Sequence, residues 1–514
     1  MKIENKITVY PFSQEKLIEL ICPYAVANDE PIPEQAAYLA RYCETLDVKT
    51  LVHENHYVDR HYVDEYASYY SRMLSPPKNY VQRLHFFGHE FNEAQFSQWL
   101  ERSFSSVEEK KIVETELLHG AGTHTNKENK YFGYCAIRPI SSAPIGRTII
   151  ARLPDSPGKP TREIWATSSH RVHLGSLVLH VDGLAFQQQD AAVGACATAA
   201  LWSALVRVAR HDGIRAPTPA EITEVATHVT KHGARPILAA NAGLTIYQLC
   251  QATRSLGFNP EVFSARAKPE FFMIAMHTYL LSGIPVVLAL RRDGIGHAVA
   301  AAGFQITPTD LPNLQTTFKV RSARIKKLYI HDDRMGPYAR SYIEPFPYQP
   351  DIGDGLLLEI DWHGQSKEDW IVDSGIAPVY PKLRLPIQSL IALAEYIGAP
   401  VEKMVGSRAT ELNMEALSPE ERRAQRYVDE DDIPAPSVIT LNALAAAHGV
   451  NDYLFRMTGL RKQGQFDDYL YIEPRTRSMR LDESRLDKDC LECSSSSLGR
   501  YARGDSLRLP TSPD

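Results

Sequence analysis

The stretch from Asp190 to Arg210 reads DAAVGACATAALWSALVRVAR and contains a single cysteine, Cys196. No charged residue lies between positions 191 and 206, and the alanines and leucines that dominate the run favour helix. Gly194 favours an irregular approach, so we predict that a helix begins close to Cys196. Unpaired N–H groups in a first helical turn, together with the helix dipole, stabilise a thiolate. The stretch therefore predicts either a nucleophilic cysteine or an ordinary buried one.

Composition describes an ordinary globular chain. It has 514 residues, of which 44% are hydrophobic and 23% charged, a length that suits two to four domains. The 56 basic and 62 acidic residues give a net charge of −6, so no basic field indicates nucleic acid or an anionic membrane as partner. Seven scattered cysteines are too few for a disulfide scaffold. The first residues lack the apolar core of a signal peptide, so we expect a cytoplasmic protein without membrane insertion.

Changes of pattern along the chain predict four regions. Residues 1–130 form an N-terminal α/β region, and residues 131–378 form the domain that carries the candidate catalytic residues. A mixed C-terminal region follows at 379–484, and a flexible tail at 485–514, where apolar content and periodicity are low. Within the first region, the histidines and tyrosines of residues 53–70 predict a solvated helix face with half-buried tyrosines.

Regular elements are predicted on both sides of the cysteine helix. Residues 131–150 alternate as two strands around a turn, and residues 243–257 suit a helix that ends at glycine. Pro219 follows a capping threonine and precedes Glu221, a pattern that predicts another helix start.

Two more predicted strands lie further along the chain. Residues 284–290 form a buried strand, and after a turn at 291–296 the strand that begins at His297 pairs back on it. Residues 327–331 form a further strand, which ends at Asp332.

A nucleophilic cysteine needs a base beside its sulfur, a group that orients the base, and a donor for the oxyanion that forms on attack. Each requirement has a candidate in this chain. The candidates are Cys196 as nucleophile, His297 as base, Asp332 or the adjacent Asp333 as orienting group, and Gln189 or Gln188 as donor.

The segments ACATAALW around Cys196 and GHAVAAAGF around His297 resemble those of the papain-like cysteine peptidase superfamily. A helix at 243–257 and the spacing from Asp332 to a glycine four residues later look more like the bacterial double-glycine-peptidase-like branch. The resemblance covers residues 185–340. It implies an α+β papain-like core, in which a helix that carries the cysteine packs on an antiparallel sheet that carries His297 and Asp332.

The resemblance also implies roles for individual residues. Cys196 would be the nucleophile, His297 the base and Asp332 the orienting group of a Cys–His–Asp triad. Papain relatives place the oxyanion glutamine six residues before the cysteine, whereas that position is Asp190 here and Gln189 lies seven residues before. Gln189 is the candidate oxyanion donor. Either the turn before the cysteine is one residue longer than in papain relatives, or a different group is the donor.

The expected function is a thiol hydrolase that cleaves peptide or amide bonds through a thioacyl intermediate. Its partners would be a protein or peptide substrate and a possible regulatory protein. Two alternatives stay open: a papain-like transglutaminase, deamidase or acyltransferase, and an inactive papain-like interaction module. No cofactor is expected. No metal site is expected either, because the CxxC at Cys490 and Cys493 has no second ligand pair.

Overall fold

The structure is a computed structural model, and the chain divides into two compact units, residues 1–405 and 406–514. The residues that the structure describes are 7–120, 129–155, 158, 160–190, 196–227, 243–266, 268–307, 321–349, 353–361, 367–381, 469–473 and 478–482. The predicted tail at 485–514, with its CxxC, lies outside them. Among the described helices, none combines the length and the apolar character needed to span a lipid bilayer.

The first part of the chain alternates short helices and strands. In order, its elements are β1 (Ile7–Pro11), α1 (Gln14–Ile21), α2 (Pro23–Ala27), α3 (Glu34–Thr45), β2 (Thr50–Tyr57), α4 (Arg60–Ser68), β3 (Val81–Phe87), α5 (Glu93–Ser103), α6 (Val107–His119), β4 (Tyr131–Ile137), β5 (Ile145–Ile150), β6 (Arg162–Glu163), β7 (Ser168–Leu174), β8 (Leu177–Gly183) and β9 (Ala185–Phe186). A 3-10 turn at Tyr70–Arg72 follows α4.

Six of these strands form one antiparallel sheet in the order β1-β2-β3-β4-β5-β9. Because β3 pairs with β4, this sheet joins residues on both sides of position 130, where we placed a domain boundary. The domain limits themselves stay predictions. Strand β9 pairs with β5 and leads the chain out of the sheet toward Cys196.

The elements that follow carry the candidate catalytic residues. They are α7 (Cys196–His211), α8 (Pro219–Thr227), α9 (Ile246–Ser255), β10 (Asn259–Ser264), α10 (Pro269–Leu281), β11 (Val286–Arg292), β12 (Ile295–Ile306), β13 (Ile325–Asp332), β14 (Gly336–Gln349), β15 (Gly353–Asp361) and β16 (Lys367–Val379). A 3-10 turn at Arg321–Arg324 precedes β13. In the second unit, β17 (Tyr469–Glu473) and β18 (Ser478–Asp482) form an antiparallel hairpin.

Strands β11 to β16 close into an antiparallel barrel. Each pairs with the next, and β16 returns to pair with β11. Closure gives every barrel strand two neighbours and leaves no unpaired edge. The mixture of helices and antiparallel strands confirms the predicted α+β class. The closed barrel differs from the plain antiparallel sheet that the papain-like resemblance implied, since β14, β15 and β16 were not predicted.

Helix α7 is enclosed by other elements. It contacts β11, β12, β13 and β16 of the barrel, and also β7 and β9. Every residue from Ala197 to Val206 is buried, with Trp202 completely covered. A helix covered on all sides needs apolar residues on every face, which explains the charge-free run in the sequence.

The predicted start of α8 and the predicted glycine end of α9 are confirmed. The Thr218 backbone N–H donates to Glu221 Oε2 at 2.8 Å, and the Glu221 N–H donates back to Thr218 Oγ1 at 3.3 Å. This reciprocal pair is the capping box that the sequence predicted for α8. Helix α9 has a similar box between Thr245 and Gln248, and the chain leaves it through Gly257 at φ +89°, as predicted.

Strands β11 and β12 form the predicted hairpin with a shorter turn than expected. Pairing continues to Arg292 and Ile295, which leaves only Asp293 and Gly294 in the turn. Both have positive φ values, +49° and +78°, as a type I′ hairpin turn requires. The short turn places His297 inside the paired part of β12.

Gly303 on β12 lies where β6 packs closely on the barrel. A methyl group there would collide with the Glu163 carbonyl oxygen and lie 2.9 Å from the Ile164 Cα. We expect Gly303→Ala to lower the free energy of unfolding by about 1–3 kcal/mol, measured by urea denaturation. Gly296→Ala, in the same strand with no heavy atom within 4 Å, is the matched control and should change stability much less. Equal effects of the two substitutions would contradict the close packing of β6.

Candidate active site

Cys196 is the most accessible of the cysteines that the structure describes. It is the first described residue of α7, and its side chain is half-buried. The other four described cysteines, Cys22, Cys43, Cys135 and Cys250, are buried and form no disulfide. Burial raises the pKa of each of these four thiols, to about 11 in Cys22 and about 12 in Cys135.

His297 lies between Cys196 and Asp332. Its ring is buried on β12, and its Nε2 is 3.0 Å from Asp332 Oδ1. The His297 ring also forms a hydrogen bond with the Cys196 side chain. Because Nε2 faces the carboxylate, Nδ1 is the nitrogen left for the sulfur. The structure thus brings the predicted nucleophile, base and orienting group into one hydrogen-bonded line.

Asp332 is held at the end of β13. It is fully buried, and its Oδ1 also accepts the backbone N–H of Arg334 at 3.0 Å. Its backbone carbonyl accepts the N–H of Met335 at 2.9 Å in the turn that leads to β14. Since β12 and β13 are antiparallel neighbours, their pairing brings His297 and Asp332 together.

Nearby charges and burial have opposite effects on the pKa values of His297 and Asp332. Burial alone would lower the pKa of His297, but the Asp332 charge and hydrogen bond outweigh it, and the Cys196 hydrogen bond adds to them. Together with the Asp333 charge, these effects raise the pKa of His297 to about 10. Burial would raise the pKa of Asp332, but His297 and Arg334 keep it below its ordinary value. The charged pair of imidazolium and carboxylate is therefore favoured.

Asp333 is close to the triad without a hydrogen bond to it. One of its carboxylate oxygens lies within 4.8 Å of ligand atoms of His297 and Asp332, and its side chain is buried. Neither oxygen has a hydrogen-bond partner among the described residues. Burial raises the pKa of Asp333, and the Asp332 charge adds to the rise, to about 7 against the opposing effect of His297. Asp332 is thus the residue that forms the hydrogen bond with His297, and its role as the orienting group stays a prediction.

His331, beside Asp332 on β13, has a structural position, as we expected. Its Nδ1 lies 3.2 Å from the Ala185 carbonyl oxygen, and its ring packs edge-on against Tyr338 with centroids 4.7 Å apart. Burial lowers the pKa of His331 to about 3, so the ring is neutral.

Trp370 on β16 covers the His297 ring, with centroids 5.4 Å apart. Its indole N–H donates to Glu368 Oε2 at 3.1 Å, and Arg334 Nη2 donates to the same oxygen at 2.9 Å. The Arg334 guanidinium lies over the indole, 5.1 Å from its centroid. Sequence reasoning missed these residues, because only the closure of the barrel brings β16 beside β11 and the histidine.

The structure separates the two glutamine candidates for oxyanion donor. Gln188 is buried, and its Oε1 accepts the Ile145 backbone N–H at 3.2 Å, so its side chain serves the packing of β5. Gln189 is half-buried and forms no hydrogen bond to the described part of the chain. It is not joined to the triad here, and its role as oxyanion donor stays a prediction.

A buried charge cluster anchors the chain just before Cys196. Arg138 Nη1 lies 3.1 Å from Asp190 Oδ2 and 3.5 Å from Glu65 Oε2, and its Nη2 donates to the Gln188 carbonyl oxygen at 2.8 Å. The Tyr70 hydroxyl donates to Asp190 Oδ2 at 2.7 Å. Sequence reasoning missed this cluster as well, since its members come from three separate parts of the chain.

His297, Asp332 and Asp333 also form the one group in the described ranges that could hold a metal ion. Their ligand atoms lie within 4.8 Å of one another. The sequence did not indicate this set. A metal ion bound through His297 Nε2 would replace the hydrogen bond to Asp332, so the ring would lose its orienting partner.

No protein-family model matches the chain, and a search of curated proteins finds no significant match. The chemistry of the site is therefore argued from its contacts. A thiol, an imidazole and a carboxylate joined in this order can move the thiol proton to the ring and hold the ring in one tautomer. That arrangement suits nucleophilic attack on a carbonyl carbon.

The raised pKa of Asp333 predicts a pH-dependent effect on stability. The pKa of Asp333 is near 4 in the unfolded chain and about 7 in the folded protein, so between these pH values the folded protein binds more protons than the unfolded chain. The contribution of Asp333 to the free energy of unfolding is therefore lost as the pH rises. Asp333→Asn keeps the uncharged form at every pH. We expect it to match the parent protein near pH 5 and to exceed its free energy of unfolding by on the order of 2 kcal/mol at pH 8.

Urea denaturation at both pH values measures this difference. Asp293→Asn, at a carboxylate whose side chain is 86% exposed, is the control and should show the same small effect at both pH values. An Asp333→Asn protein that loses stability relative to the parent as the pH rises would show that Asp333 is charged in the folded state.

Proposed function

We propose that the chain is a cysteine-dependent hydrolase that cleaves peptide or amide bonds through a thioacyl intermediate. The observation that carries this proposal is the line of hydrogen bonds from Cys196 through His297 to Asp332. Burial at the ring and the carboxylate strengthens the electrostatic part of these contacts, because little solvent screens them.

The first half of the reaction begins from the Cys196 thiolate paired with the His297 imidazolium. The thiolate adds to the substrate carbonyl to form a tetrahedral intermediate. As that intermediate collapses, the imidazolium gives the proton to the departing amine, which leaves the acyl group on sulfur as a thioester. Asp332 accepts a hydrogen bond from the His297 Nε2–H group throughout, so that Nδ1 always faces the Cys196 sulfur.

The second half releases the acyl group. His297 removes a proton from water as the water oxygen attacks the thioester carbon, and the collapsing intermediate expels the Cys196 thiolate. The products are a carboxylic acid and the free enzyme. An amine in place of water would complete an acyl transfer by the same steps, so a transglutaminase or acyltransferase differs only in the acceptor.

As the finer fold assignment we propose a papain-like core around the cysteine helix, from which the closed barrel is a departure. The helix that carries the cysteine packs on two antiparallel strands that carry the histidine and the aspartate, in the chain order Cys, His, Asp. We extend the proposal to a protein or peptide substrate and to a reducing, cytoplasmic setting. The unpaired state of the five described cysteines suits that setting.

Cys196 should be the most reactive of the described thiols. We expect iodoacetamide to label it faster than Cys22, Cys43, Cys135 or Cys250 in the native protein, as measured by peptide mapping. His297→Ala should slow the native labelling of Cys196, because the imidazolium beside the sulfur stabilises the thiolate, and should leave denatured-state labelling unchanged. Faster native labelling of any of the four buried thiols would contradict the assignment.

Substitutions in the triad should rank by role. Digestion of a peptide library, read by mass spectrometry, should show that Cys196→Ala and His297→Ala each reduce turnover by on the order of 10⁴ or more, since the triad acts as a unit. Asp332→Asn should retain more activity, because Asp332 orients the ring and does not itself react. Asp333→Asn is the matched control and should cost least.

Two outcomes would change the proposal. A larger loss from Asp333→Asn than from Asp332→Asn would move the orienting role to Asp333. An electrophilic peptide probe that fails to form a covalent adduct with Cys196 would favour the inactive interaction module. Identification of an amide product in place of an acid, when an amine is present, would assign the chain to the transferases.

A further inference from the structure

A cavity lies between α3 and the barrel strands β13 and β14. Its volume is about 340 Å³, and none of the triad residues lines it. Strand β6 and the segment after β5 complete its wall. The volume lies at the lower end of the range for small-molecule sites, which is roughly 300–1,000 Å³. It is too small for a folded partner or a long peptide.

Three arginines line this cavity, one from each of three elements. They are Arg41 on α3, Arg162 on β6 and Arg340 on β14. Within the described ranges, Arg41 and Arg340 form no ion pair. Arg162 Nη1 donates to the Pro154 carbonyl oxygen and lies 3.9 Å from Asp155 Oδ1.

The cavity therefore has an excess of positive charge. Glu44 is the one acidic residue in its lining, and its Oε2 accepts a hydrogen bond from Gln14 Nε2 at 2.7 Å. In addition, Arg41 Nε is shielded from solvent and has no hydrogen-bond partner among the described residues. A buried donor without a partner is costly, so an anionic ligand would stabilise this site.

The aromatic side of the cavity is already fixed in place. The Tyr38 hydroxyl donates to the Pro337 carbonyl oxygen at 2.8 Å, and the Tyr42 hydroxyl donates to the Ala151 carbonyl oxygen at 3.0 Å. The Tyr338 hydroxyl accepts the Leu184 backbone N–H at 2.7 Å.

These rings also hold one another. Tyr42 packs nearly parallel to Tyr38 and to Tyr338, with centroids 6.1 and 6.3 Å apart. The tyrosines that line the cavity therefore need little rearrangement when a ligand binds, which lowers the entropic cost of binding.

We propose that this cavity binds a phosphate monoester that carries a flat ring system, of the size of a nucleoside monophosphate. Guanidinium groups offer paired N–H donors that match phosphate oxygens, and several converging on one cavity favour a doubly charged group over a single carboxylate. The buried tyrosines give the cavity an apolar wall for the flat part of the ligand. This binding site is independent of the proposed hydrolase activity, because no residue is shared with the triad.

Isothermal titration calorimetry on the full chain tests the proposal with AMP, GMP, CMP and UMP, each added alone. We expect at least one of them to bind with a Kd well below about 1 mM, and its uncharged nucleoside to bind at least about tenfold more weakly. Inorganic phosphate alone should also bind more weakly, because it cannot use the apolar wall.

Variants locate the site. Arg41→Gln and Arg340→Gln should each weaken binding about tenfold or more, the loss expected for a charge-assisted hydrogen bond. Arg340 is exposed at the cavity mouth, so its variant stays informative if Arg41→Gln does not fold. Arg171→Gln, an exposed arginine on β7 outside the cavity, is the matched control and should bind like the parent.

Cys196→Ala should bind with unchanged affinity, which separates this site from the proposed activity. The absence of binding by all four nucleotides at about 1 mM would overturn the proposal. So would equal affinity for a nucleotide and its nucleoside, or binding that survives both cavity substitutions.

Discussion

The hydrogen bond between His297 Nε2 and Asp332 Oδ1 is the contact on which the rest of the site depends. It fixes the imidazole in one orientation, with Nδ1 toward the Cys196 sulfur, and it compensates a carboxylate that is fully buried. A buried charge without such a partner would be strongly unfavourable, so the bond is needed for folding as much as for chemistry. Its geometry follows from the pairing of β12 with β13, and the two-residue turn before β12 sets where the histidine falls in that pairing. Backbone hydrogen bonds, which depend little on sequence, thus place the reactive side chains.

Closure of the barrel covers a face of the His297 ring that the paired strands β12 and β13 alone would leave exposed. Strand β16 returns beside β11 and brings Trp370 against the His297 ring. Glu368, also on β16, accepts hydrogen bonds from Trp370 and from Arg334, and Arg334 is the residue whose backbone N–H stabilises Asp332. The Trp370 indole therefore packs against the imidazole, keeps it in the plane of its hydrogen bonds and shields the side facing Trp370 from water. An open sheet would leave this face of the histidine exposed, and solvent would then compete for its hydrogen bonds.

The sequence predicted those features that rest on local signals. The charge-free run identified α7, the capping threonine identified α8, the terminal glycine identified the end of α9, and the turn before His297 identified the hairpin. It did not predict β14, β15 or β16, because their alternation is interrupted and their position depends on pairing across the barrel. The histidines of β2 show the same limit. His53 and His56 were expected on a solvated helix face, but residues 50–57 form a strand, and His53 is buried with its Nε2 3.3 Å from Gln82 Oε1. Burial of polar residues is decided by distant partners, which local periodicity does not reveal.

The N-terminal sheet contacts the chain that leads to Cys196. The segment that precedes Cys196 leaves this sheet at β9, and Arg138 binds both its Asp190 side chain and its Gln188 carbonyl oxygen. Glu65 and Tyr70, from the region of α4, complete the cluster. Apolar residues of similar volume could give comparable stability at such a buried position, so stability alone does not explain three buried charges. The charged groups instead fix the orientation of the chain segment that they bind, because guanidinium and carboxylate hydrogen bonds have defined angles. The chain is thus held at Gln188 and Asp190, while the barrel holds His297 and Asp332. Since thiol and imidazole must meet within hydrogen-bond distance, two separately anchored parts of the fold determine whether the triad can form.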